Sequence, residues 1–193
     1  FCFTLIFSLP LGLALALLRM SKRRIISAPI SLYILVMRGT PLMLQIFAIY
    51  FAIPTLTGVN LDRMNATILS FSLNYAAYFA EIFRGGIESI PRGQYEAAAA
   101  LGMTKAQTFF RIILPQVIKR IVPASSNEVI TLVKDTSLAN VVAYSEIMLA
   151  AKQQMMNYSS LVPLFIAGVF YFVMATVLTA LFGFIEKKLN YYR

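Results

Sequence analysis

Residues 153–185 read QQMMNYSSLVPLFIAGVFYFVMATVLTALFGFI, an unbroken uncharged stretch closed by Glu186-Lys187-Lys188. A helix needs roughly 20 mostly apolar residues to cross a bilayer, so a span near 161–184 fits inside this stretch and ends on a basic anchor. The other residues continue the theme. Of 193 residues, 59% are hydrophobic and 13% charged, with a mean hydropathy of +0.74, too apolar for an ordinary soluble domain of this length. The chain is expected to be an all-α integral membrane protein, a single transmembrane domain over 1–193 with about five helices and short connections.

Working outward, residues 1–18 are uncharged and end in Arg19, Lys22, Arg23 and Arg24. A signal peptide carries its positive charges ahead of the apolar run, so this order predicts a first span, and residues ahead of Phe1 are expected. A second span is expected within 30–53, before the turn residues Pro54, Gly58 and Asn60. The third, near 64–83, has Glu81 close to its inner end and stops at Arg84. Residues 85–115 are rich in Gly, Ala, Gln and charge and predict a cytoplasmic loop with short helices. The fourth span, near 117–143, carries Lys119, Arg120, Glu128, Lys134 and Asp135, and a polar outer connection runs through Tyr144 to Ser160.

Charge placement predicts orientation. With the N-terminus outside, thirteen of the seventeen Lys and Arg fall on the inner side and only Arg63 and Lys152 outside, the bias of a chain whose C-terminus is cytoplasmic. The net charge of +9 then reflects membrane topology, and nucleic acid is not an expected partner. No histidine and one cysteine, Cys2, exclude a His/Cys metal site, a disulfide within the chain and a Ser-His-Asp triad. No internal repeat is evident, and an enzyme is not expected.

The loop holds the clearest pattern. Arg92 precedes Glu96-Ala97-Ala98, Gly102 follows Ala98 after three residues, then come Lys105, Ile112 and Leu114-Pro115. Small residues leave a smooth helix face that can enter a cleft, and Gly102 permits a left-handed cap, giving a helix-turn-helix knob whose charges fix register against a partner. The chain has no G-x-x-x-x-G-K-[ST] stretch to cradle phosphates. This spacing resembles the EAA motif of ABC importer permeases. Arg38-Gly39-Thr40-Pro41-Leu42 with Gln45, Tyr78 with Ala80-Glu81-Ile82, Arg84-Gly85-Gly86-Ile87, Gly93-Gln94 and Lys134-Asp135-Thr136-Ser137-Leu138 extend the resemblance to the polar amino acid branch of that family over nearly the whole chain. The resemblance implies an ABC type I importer permease fold in a bacterial cytoplasmic membrane, with 85–115 as the coupling loop. It further implies a second permease subunit, identical or not, two ATPase subunits that bind ATP and Mg²⁺, and an extracytoplasmic binding protein, working by alternating access. Members usually have more residues before the first span.

A charge near the bilayer centre costs at least about 2.5–3.5 kcal/mol on insertion scales, so Glu128, Lys134 and Asp135 need partners or a watery cavity. Glu128 and Asp135 are seven residues apart, about two helical turns and roughly 10 Å of rise, with Thr131 between them on the same side. Two outcomes follow. Lys134 could pair with Asp135 or Glu81 and simply hold the bundle together. Alternatively the group receives a zwitterion, carboxylates taking its ammonium and Lys134 or helix-end amides its carboxylate, with Asn127 completing hydrogen bonds. Two carboxylates favour arginine, lysine or histidine, whereas a Lys134–carboxylate pair would suit glutamine. The remaining alternatives are glutamate or opine-like solutes, or a membrane scaffold that anchors an ATPase without transport. Arg38 is expected at the inner boundary, its side chain reaching headgroups.

Overall fold

The computed structural model describes residues 1–189. It runs through α1 (Cys2–Arg19), α2 (Arg24–Gly39), α3 (Leu42–Phe47), a π-helical turn over Ala48–Ala52, α4 (Ile53–Thr57) and α5 (Arg63–Glu88). Next come α6 (Arg92–Ala100), α7 (Lys105–Thr108), a second π-helical turn over Phe109–Ile113, and α8 (Leu114–Asp135). A 3₁₀ segment (Thr136–Val142), α9 (Ile147–Tyr158) and α10 (Val162–Leu189) complete it. No strand occurs among the described residues, as expected for the all-helical class. Arg193, the last basic residue in the charge count, lies outside them.

The long helix α5 is the centre of the bundle and packs against α1, α2, α3 and α8. Its contact with α1 is built on small residues: Thr4, Ser8, Gly12 and Ala16 recur every fourth position of α1 and are all buried. In a bilayer, where lipid is as apolar as a leucine side chain, such stripes let backbones approach and gain dispersion contacts. The approach is close enough that a Cβ on Gly12 would lie 2.8 Å from Phe79 Cβ and 3.1 Å from the Ala76 carbonyl oxygen. On another face of α5, Phe71, Tyr75 and Phe79 join Ile46, Val129, Leu132 and Val142 in the main core cluster.

The second span is not one straight helix. Within the expected 30–53, α2 ends at Gly39 and the chain from Leu42 to Thr57 leaves at 111°. The cause is local. Proline removes an N–H donor and pushes its predecessor out of helical space, and Thr40 is extended at φ −119°, ψ 148° ahead of Pro41. The third expected span lies inside α5. The fourth divides into α8 and the 3₁₀ segment, and the outer connection contains α9.

Among the described residues, α1 and α10 are long and apolar enough to cross a membrane on composition alone, with the bent pair as a third candidate. At 26 and 22 residues, α5 and α8 also have the length, about 39 and 33 Å at 1.5 Å per residue. They are more polar because α5 is enclosed by other helices and α8 bears the charged group. By contrast α10 exposes Phe165, Val169, Phe172 and Leu181, side chains suited to lipid.

Basic residues gather at one pole of the bundle. Arg19 at the end of α1 is 3.6 Å from Glu81, whose carboxylate also receives Arg84 at 2.6 Å, and Arg84 reaches Glu88 at 2.5 Å. Arg120 donates to the Ser89 carbonyl, and Lys119 lines a cavity with Glu186. Phe1, Thr67, Thr136, Tyr144 and Glu146 line another cavity at the opposite pole.

Candidate functional site

Helix α8 keeps Glu128, Thr131 and Asp135 on one continuous helix, so the seven-residue spacing becomes a physical stripe. Both carboxylates are half-buried, as is Thr131, while Asn127 and Lys134 are exposed. Tyr75 of α5 donates its hydroxyl to Asp135 Oδ2 at 2.8 Å, which binds one lone pair of that oxygen and leaves Oδ1 available. Arg38, at the end of α2, lies over the Tyr78 ring with its guanidinium carbon 5.2 Å from the centroid. Arg38 and Asp135 are the charged neighbours of Glu128.

Arg38 stands fourteen residues along α2 from Arg24, about 21 Å by helical rise, and is exposed there, its charge acting on both Glu128 and Glu81. A cation over an aromatic face is attracted by the ring quadrupole, and this contact gives the guanidinium a partner. The signal available in the sequence was its isolation: no other charge occurs between Ile25 and Leu61, and a lone intramembrane arginine is a functional candidate by default. The internal pairs considered for Lys134 are not formed. Asp135 is bonded to Tyr75, Glu81 to Arg84 and Arg19, and the Lys134 ammonium makes no ion pair within 4.0 Å among the described residues. No described ion pair joins Arg38 to Glu128 either.

The knob expected around Glu96 is present. Arg92 opens α6, Glu96 and Ala97 are exposed, and Ala98 is 3% exposed. The helix stops in a Schellman motif: Met103 N–H bonds to the Ala98 carbonyl at 3.1 Å and Gly102 N–H to the Ala99 carbonyl at 2.9 Å, with Gly102 at φ +70°. Glycine adopts this left-handed conformation without a Cβ clash. Thr104 and Gln107 then form a reciprocal capping box at the start of α7, leaving Lys105 exposed. The two ends of the segment carrying the knob meet in the buried cluster of Ile90, Ile113 and Val117, the last on α8, and Gln116 of α8 donates to Gln94 of α6 at 3.3 Å. The same helix thus carries the knob's anchorage at one end and the acidic stripe at the other.

The family model for "Binding-protein-dependent transport system inner membrane component" matches residues 8–191. The arginine transport system permease protein ArtQ of Bacillus subtilis is 40% identical over 186 residues, covering 96% of this chain and 85% of that protein. The L-cystine transport system permease protein TcyB of the same organism is 39% identical, covering 97% and 80%. The octopine transport system permease protein OccM of Rhizobium meliloti is 39% identical, covering 93% and 77%. A crystal structure of an amino acid ABC transporter with histidines aligns with a TM-score of 0.89 at 34% identity, over 97% of this chain and 87% of that one. The inward-facing MetNI methionine ABC transporter, at TM-score 0.76 and 18% identity over 98% and 88% of the two chains, is similar in fold.

Proposed function

This chain belongs to the binding-protein-dependent transport system inner membrane components and is a permease of an amino acid ABC importer; we propose that the amino acid it passes is cationic, of the arginine, lysine or histidine kind. The observation that supports this most is the pair of carboxylates, Glu128 and Asp135, on one face of α8 opposite Arg38. A zwitterion with a cationic side chain brings two positive groups and one negative. Glu128 and Asp135 complement the former, Arg38 or the exposed Lys134 the latter, and the ring of Tyr78 lies under the guanidinium that receives the carboxylate. Asn127 and Thr131, beside the stripe, supply further hydrogen bonds. The relative named for arginine supports the same assignment.

Relatives named for cystine and glutamine favour a second reading. If Arg38 neutralises Glu128, a single carboxylate remains, and a neutral amino acid such as glutamine suits the site better.

In the proposed machine two such permease subunits line the path, and an extracytoplasmic protein delivers the substrate. Two ATPase subunits, holding ATP and Mg²⁺, grip the knob formed by Arg92, Glu96, Ala97, Ala98, Gly102 and Lys105. The knob, the basic pole and the C-terminus face the cytoplasm of a bacterial cell, since loops rich in Lys and Arg are retained there. The deciding experiment is equilibrium binding of radiolabelled L-arginine to the purified permease–ATPase complex, with unlabelled competitors. L-lysine should compete well and L-glutamine poorly. Glu128→Gln and Asp135→Asn should each weaken L-arginine about tenfold, the loss of one charge-assisted hydrogen bond. Stronger competition by L-glutamine than by L-lysine would overturn the cationic assignment.

A further inference from the structure

We infer that Gln45 and Asn74 form an amide clamp that positions Arg38, and so sets how tightly the permease holds the carboxylate of its substrate. The inference rests on the assignment of Arg38 to that carboxylate. Breaking α2 at Thr40-Pro41 leaves the last carbonyls of the helix without intrahelical donors, at a place where Arg38, Gly39 and Thr40 are exposed while the amides of Gln45 and Asn74 behind them are buried. Gln45, 9% exposed on α3, resolves it with Nε2, whose two N–H groups are shared among the Met37 carbonyl at 2.9 Å, Thr40 Oγ1 at 2.9 Å and the Thr40 carbonyl at 3.2 Å. Asn74, 4% exposed on α5, donates from Nδ2 to the same Met37 carbonyl at 3.0 Å and to Gln45 Oε1 at 2.9 Å.

These bonds grip the backbone on both sides of Arg38, at Met37 and at Thr40. They also fix that grip to the helix bearing the ring beneath Arg38. Asn74 and Tyr78 are four residues apart on α5, hence one above the other on one face, and Tyr75, next to Asn74, holds Asp135. The three helical segments and the 111° bend are therefore registered against one another by two neutral amides. Neutral amides add no charge to the group, so their contribution to affinity comes through the placement of the guanidinium. Gln45 and Asn74 are positioning residues: they touch helix ends and each other, and act on substrate only through Arg38.

The test compares two ligands on the purified permease–ATPase complex: L-arginine, and agmatine, which is arginine without its carboxylate. The variants are isosteric, Gln45→Glu and Asn74→Asp, each replacing an amide donor with an acceptor that faces the Met37 carbonyl. Arg38→Gln is measured alongside. The clamp predicts about a tenfold loss of L-arginine affinity in all three variants, with agmatine affinity within about twofold of wild type. Retained agmatine binding then certifies the fold. Selective loss in Arg38→Gln but none in the two clamp variants would overturn the clamp and leave the site assignment standing. Equal loss of both ligands in the clamp variants would also overturn it, as a general structural role predicts. An Arg38→Gln variant with unchanged L-arginine binding would instead refute the assignment of Arg38, and the clamp with it.

Discussion

Asp135 illustrates how a single residue's role depends on its neighbours. Helix spacing alone places it on the stripe of Glu128 and Thr131, and that much was legible in the sequence. Its bond from Tyr75 was not, because the partner lies sixty positions away on another helix. The same limit applies to Arg38, whose contact with Tyr78 depends on a bend that one-dimensional periodicity does not encode. Removing the hydroxyl in Tyr75→Phe leaves Asp135 short of a donor in a half-buried place. The expected result is a loss of about 1 kcal/mol of stability, seen as a lower unfolding midpoint of the detergent-solubilised complex. Binding of L-arginine should persist, since Asp135 keeps its charge. An unchanged midpoint would show that water replaces the hydroxyl without loss.

Among the elements, the knob was the most legible, because its chemistry is local: small residues, a glycine cap and a capping box all fall within Glu96 to Gln107. Gly102 at φ +70° makes the cap testable. Gly102→Val puts a β-branched side chain where left-handed backbone is a genuine outlier, and should unwind the end of α6 and reduce the ATPase recovered with the purified permease several-fold. Full recovery would show that the cap does not shape the docking surface. The α1–α5 seam was less legible. Its four small residues are visible in the sequence, yet nothing there identifies α5 as their partner. Gly12→Ala meets Phe79 Cβ and backbone, both unable to move aside, so the helices must separate at about 1–3 kcal/mol. Gly85→Ala has nothing within 4 Å and serves as the control. Comparable melting for the two variants would contradict the close packing. The second span, expected within 30–53 without its bend, illustrates the opposite case: Pro41 was in plain view, and the extended conformation it imposes on Thr40 is the signal that marks the break.

At the scale of the molecule, the apolar composition, the basic bias and the order of spans were readable because bilayer thickness and charge retention act on every segment at once. The polar faces of α5 and α8 blurred the ends of these two helices in the sequence, because those faces pack on other helices. The segment that carries the knob begins and ends at the buried cluster of Ile90, Ile113 and Val117, and the helix that leaves this cluster, α8, carries Glu128 and Asp135. The most direct test is accumulation of radiolabelled L-arginine in proteoliposomes containing the permease and its ATPase, supplied with the binding protein outside and ATP within. The account predicts uptake against a gradient that requires both components and is abolished in Glu128→Gln/Asp135→Asn while the ATPase remains attached. ATP turnover with no accumulation by the wild-type complex for any amino acid would contradict it.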